Sequence, residues 1–274
     1  MALMVVNRQT LGSWALTAAA AVTFALILLP LVFVSWLAFF QQPIPAFPPQ
    51  GYSLKWFFTI PENPKFVEGF WLSLQVAVIA MLFGLAIGVP AALCLARYRF
   101  RTREALANLL LLPILVPGIV LGTALYLLHV EATMLTSLPV IGSTAGLVAG
   151  HILIVIPWSV RLVTASLAGF DRSIEEAAQN LGATPRRTFF RVTLPMIRPG
   201  IVAAALFGFV VSFGNLEMSM FLVGAGRTTL PIAILQYLEY RIDPTIAAVS
   251  LLQVLLIGAA MFVTDRFVKL SRIV

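Results

Sequence analysis

Charge is scarce in this sequence. Only 11 per cent of its 274 residues are Asp, Glu, Lys or Arg, less than half of the ~25 per cent usual in a soluble domain. Acidic side chains are rarer than basic ones, 11 against 18. There is one cysteine, Cys94, inside an apolar run, so a disulfide within the chain is excluded. Only two histidines occur, His129 and His151, far apart in sequence. No G-x-x-x-x-G-K-[ST] stretch is present, which removes the backbone cradle that would hold nucleotide phosphates. No His/Cys/carboxylate cluster has metal-ligand spacing. A Ser-His-Asp arrangement is not indicated either, so the chain is expected to be no enzyme, with no metal and no cofactor of its own.

What is present is apolar. Sixty per cent of the residues are hydrophobic and the mean hydropathy is +0.99. A helix crosses a bilayer with about 20 apolar residues. Six runs qualify, roughly 11–40, 70–96, 105–130, 144–170, 201–223 and 244–264, and the first, second and sixth carry no charge. The pattern predicts an all-α integral membrane protein, one membrane domain over 1–274 with six spans. The first run is too long for the apolar region of a signal peptide and continues past "TAAAA".

The net charge of +7 follows topology. With the N-terminus inside, Arg8, Arg97, Arg99, Arg101, Arg103, Arg172, Arg186, Arg187, Arg191, Arg198, Arg266, Lys269 and Arg272 are cytoplasmic. Lys55, Lys65, Arg227 and Arg241 fall on the other side. That bias predicts both termini in the cytoplasm and argues against nucleic-acid binding. G-x-x-x-G pairs at Gly84/Gly88, Gly118/Gly122 and Gly146/Gly150 predict close helix packing. Pro113, Pro117 and Pro157 lie within spans three and four, where proline bends a helix. The proline-rich external loop 41–69 carries "YSLKWFF" as an amphipathic piece, with Trp56, Phe57 and Trp71 as an aromatic belt.

The longest polar stretch is the loop 171–199. Ser173 and Glu176 have the spacing of a capping box, so a helix is expected from Ile174. Ile174, Ala177, Ala178 and Leu181 make one apolar face. Gly182 stands where a left-handed residue ends a helix. Thr184 caps a second helix with Pro185 at its first position, expected to run until Pro195 and Pro199 end it. Such a helix can lie in a protein groove or on lipid. Glu175 and Glu176 favour the groove, because an anionic leaflet repels carboxylates.

This loop resembles the EAA loop of permease subunits of type I bacterial ATP-binding cassette importers. That signature reads E-A-A, three residues, G, nine residues, I, one residue, L-P. Here stand Glu176, Ala177, Ala178, Gly182, Val192, Leu194 and Pro195, identical but for Val192 in place of isoleucine. Six apolar runs, "YSLKWF" and "GFWLSLQVAV" extend the likeness over most of the chain, with a flavour of the polyamine, iron and thiamine branch. The resemblance implies the type I importer fold with a cytoplasmic coupling helix. Glu176, Ala177, Ala178, Leu181, Gly182 and Ala183 would then seat in a separate nucleotide-binding subunit. It further implies two such ATPase subunits, which bind ATP and magnesium, a second and related permease, and a solute-binding protein. The expected cargo is a polyamine-like organic cation. An iron, thiamine, amino acid or phosphonate solute is the alternative within the same machinery. A stand-alone channel or secondary carrier would leave the EAA spacing unexplained.

Two ionisable residues fall inside runs, where a charge is a functional signal by default. Glu217, in "SFGNLEMSM", is a candidate for the substrate pathway with Ser212, Asn215 and Ser219. In a straight helix Glu217 would point about 200° away from Asn215, and only a break at Gly214 would bring them together. Arg161, in the fourth run, is expected to make a structural or gating pair.

Overall fold

The computed structural model describes residues 2–268, with side chains over 13–266. Lys269 and Arg272, and the side chain of Arg8, lie outside the described residues. The chain forms α1 Ala2–Leu37, α2 Lys55–Thr59, α3 Pro64–Arg97, α4 Arg103–Leu115, α5 Gly118–Thr136 and α6 Thr144–Ala168. Then follow α7 Ser173–Asn180, α8 Pro185–Thr188, a π turn Phe189–Thr193 and α9 Leu194–Phe213. The last elements are α10 Ser219–Leu222, α11 Leu230–Tyr240 and α12 Thr245–Val268. Among the described residues, six stretches are long and apolar enough to span a membrane: Ser13–Leu37, Pro64–Arg97, Gly118–Thr136, Thr144–Ala168, Pro185–Phe213 and Thr245–Arg266.

Two compact units can be distinguished. The first holds the chain up to Glu62 together with Tyr237–Leu255. Its core gathers Ala38, Trp56, Ala247 and Ala248. Trp56 is therefore no belt residue: it is buried, donates Nε1–H to the Phe40 carbonyl at 2.6 Å and stacks under Lys55 Nζ. Trp71 stays exposed.

The second unit runs Asn63–Gln236 and rejoins at Leu256. Its centre is α6, packed against α3 and α9. Of the most apolar window of α6, 61 per cent is buried, the highest share of any span. Close approach depends on Gly84 and Gly88 of α3. A Cβ at either would overlap Val155 or Ser159 of α6, so the small-residue pair sets that crossing.

Three predicted elements change. The run 105–130 is not one helix: it is α4 and α5, broken at Val116 and Pro117. Val116 is extended (φ −86, ψ 129), the conformation favoured before proline. The helix expected to stop at Pro195 and Pro199 continues through both. Pro195 cannot donate to Arg191 and crowds its carbonyl; the widened π turn Phe189–Thr193 just upstream takes up that mismatch. The run 201–223 begins earlier, as α9, and stops at Phe213.

Candidate coupling loop and broken span

The loop 171–199 folds as helix, glycine turn, helix. The capping differs from the predicted box. Ser173 lies inside α7 and its hydroxyl caps nothing. Asp171 Oδ1 accepts the Ser173 backbone N–H at 2.9 Å instead. That hydrogen bond holds the Asp171 carboxyl below its ordinary value and places negative charge at the helix start. Gly182 has φ +87, and a Cβ there would meet nothing within 4 Å. Glycine is needed for its backbone angle, not for space. Thr184 accepts the Arg187 N–H at 3.3 Å, with Pro185 leading α8 as the sequence implies.

The apolar face of α7 points away from the protein. Leu181 is 90 per cent exposed and Ile174 is 43 per cent exposed. Ala177 is exposed, and Ala178 and Ala183 are half-buried. Glu176 is exposed too. An eight-residue helix with its apolar ridge outward has no reason to hold its shape alone. It is held by Glu175, a residue that spacing did not single out. Glu175 pairs with Arg97 at the end of α3 and accepts the Thr193 hydroxyl. No periodicity rule joins residues 78 positions apart, so this contact had no sequence signal.

A second arrangement surrounds the break after α9. Chain 214–218 leaves the helix before α10 resumes. His151 of α6, 2 per cent exposed, bridges the break. Its Nδ1 lies 2.7 Å from Ser212 Oγ and its Nε2 lies 3.1 Å from Ser219 Oγ. Ser219 Oγ gives its proton to Asn215, whose carbonyl is 2.8 Å away. Ser219 must then accept from His151, so the network assigns the Nε2–H tautomer, with Nδ1 accepting from Ser212. Asn215 Oδ1 also accepts the Ser219 N–H at 3.2 Å.

The break thus gathers Ser212, Asn215 and Ser219 but not Glu217. Glu217 is exposed and sits over Gly118, where a Cβ would overlap its carboxylate. Gly118 opens α5, so the carboxylate faces a helix N-terminus. Two interrupted spans meet there, a geometry that membrane proteins use to line cavities. Arg161 is exposed on α6 and makes no hydrogen bond or ion pair among the described residues. The expected gating pair is therefore not made among the described residues. No group of three His, Cys, Asp or Glu side chains that could hold a metal occurs among the described residues.

Six apolar spans, a polar loop with its apolar ridge turned outward and a charge beside a broken helix define a membrane permease subunit. Residues 84–272 match the family described as "Binding-protein-dependent transport system inner membrane component", and the chain belongs to that family. It is similar to the putrescine transport system permease protein PotI of Escherichia coli (strain K12), 31 per cent identical over 214 residues, covering 78 per cent of this chain and 76 per cent of PotI. The spermidine/putrescine transport system permease protein PotC of the same organism is 27 per cent identical over 222 residues, covering 80 per cent of each. Among solved structures, an inward-facing MetNI methionine ABC transporter matches with a TM-score of 0.63 at 25 per cent identity. That match covers 76 per cent of this chain and 97 per cent of the MetNI chain. The chain has the type I importer fold and is a multi-pass permease of the inner membrane.

Proposed function

We propose that this chain lines half of the pathway of an ATP-driven importer for a polyamine-like organic cation, with a related permease as the other half. ATP and magnesium bind in two separate nucleotide-binding subunits, not in this chain. A solute-binding protein delivers the cargo on the opposite side. Both termini lie in the cytoplasm. Glu176, Ala177, Ala178, Leu181, Gly182 and Ala183 form the face that seats in an ATPase subunit.

The carrying observation is the outward apolar ridge of α7, with Leu181 90 per cent exposed on a helix pinned from behind by Glu175. A ridge of that kind is the helix-in-groove mode of recognition. The cargo reading is supported by the polyamine permeases PotI and PotC and by the exposed carboxylate of Glu217 between two interrupted spans. The test is uptake of labelled putrescine by vesicles carrying the complete transporter, competed with spermidine, thiamine, amino acids and phosphonate. Competition by spermidine alone supports the cation reading. Competition by one of the others moves the cargo to that class.

A further inference from the structure

Glu175 is the acid of α7 that is turned into the protein, its side chain 12 per cent exposed. It receives hydrogen bonds from the Arg97 guanidinium and the Thr193 hydroxyl. Arg97 Nη2 is also 3.3 Å from Thr193 Oγ1, so the three groups close a triangle. Each corner belongs to a different element. Arg97 ends α3, a 34-residue helix about 51 Å long at 1.5 Å per residue. Thr193, wholly buried, ends the π turn that feeds α9. Glu175 belongs to α7. Arg172, just before α7, adds a bond from its Nη2 to the Arg97 carbonyl at 3.3 Å.

The direction of these bonds matters. The apolar residues of α7 face outward, so polar contacts hold the helix from behind. A part-buried charge pair with a third partner has a defined geometry and yields little, because breaking one corner strands a charge. A shift of α7 therefore displaces the ends of α3 and α9 rather than sliding past them.

We propose that Glu175, Arg97 and Thr193 are positioning residues of the transport cycle, which fasten α7 to α3 and α9 so that a displacement imposed on α7 moves both spans together. The proposal rests on the coupling reading of residues 171–199.

Cys94, the sole cysteine of the chain, provides a reporter. It lies on α3 about one turn before Arg97 and is part-buried. The complete transporter is purified with its ATPase subunits. The maleimide labelling rate of Cys94 is then read by mass spectrometry without nucleotide and with ATP and vanadate. The wild type is expected to show a nucleotide-dependent change in rate. Thr193→Val, outside the docking face, is expected to keep the ATPase subunits bound. In the complexes that form, both it and Glu175→Gln are expected to shrink that change by about fivefold or more, the lower range of allosteric coupling factors. The exchange of Arg97→Glu with Glu175→Arg is expected to restore part of it. This pair also guards against a single variant that simply fails to fold.

Variants that retain both assembly and the full nucleotide response would overturn the proposal, as would a wild type whose Cys94 does not respond. Loss of the ATPase subunits from Thr193→Val would also overturn it, by making the triangle a support of the docking face alone. If no ATPase subunit accompanies the wild type, it is the coupling reading itself that fails.

Discussion

Single residues carry three separable jobs. Gly182 supplies a φ of +87 that no neighbour enforces. An alanine there costs about 1–2 kcal/mol in the left-handed region. Gly182→Ala is expected to weaken binding to a purified ATPase subunit about tenfold, and Gly182→Asn, which tolerates that angle better, to recover part of the loss. His151 holds Ser212 and Ser219 across the break. His151→Ala leaves the buried Ser212 hydroxyl without a partner, at about 1–3 kcal/mol, while Ser219 keeps its bond to Asn215, and its thermal midpoint in detergent should fall by several degrees. Glu217 stands apart from that network. Glu217→Gln is expected to raise KM for a cationic solute while the ATPase subunits still co-purify. An unchanged KM would make Glu217 a purely structural partner of α5. The sequence named Ser212, Asn215, Ser219 and Glu217 as one group. It did not reveal that His151 joins Ser212 to Ser219, and through Ser219 to Asn215, because that grouping depends on how α6 crosses the break.

At the scale of elements, length and absence of charge were sufficient to read six spans. A run of about 20 apolar residues has few other fates. The loop 171–199 was legible for a different reason: Gly182, Thr184 and Pro185 each have a narrow conformational range, so spacing alone gave helix, turn, helix. Interruptions were harder. Val116 and Pro117 were visible as letters, yet proline is tolerated in many membrane helices, and only packing decided that the chain breaks there. The stop at Pro195 was misread because the widened turn Phe189–Thr193 relieves the proline locally. The orientation of α7 follows from Arg97, 78 residues away from Glu175, and no local rule reaches that far. The outward ridge makes its own prediction. Leu181→Asp is expected to abolish co-purification of an ATPase subunit while leaving the thermal midpoint of the permease unchanged, since a side chain 90 per cent exposed contributes little to the fold.

The whole molecule is incomplete by its own surface chemistry. The most apolar stretch of the Ser13–Leu37 span has no buried residue among the described residues, the α7 ridge faces outward and Arg161 lacks a partner among them. Lipid covers an apolar span at no cost, but it does not cover an arginine or an amphipathic ridge beside carboxylates. Those features call for protein partners, in keeping with a permease family whose transport depends on a binding protein. The most direct measurement is a pull-down of the tagged chain in mild detergent, with mass spectrometry of what accompanies it, repeated for Glu176→Lys and Gly182→Asp. The expected result is an ATPase subunit with the wild type, reduced in both variants. A wild type that runs alone under several gentle conditions would contradict the coupling role of residues 171–199 and bring a stand-alone channel or carrier to the front.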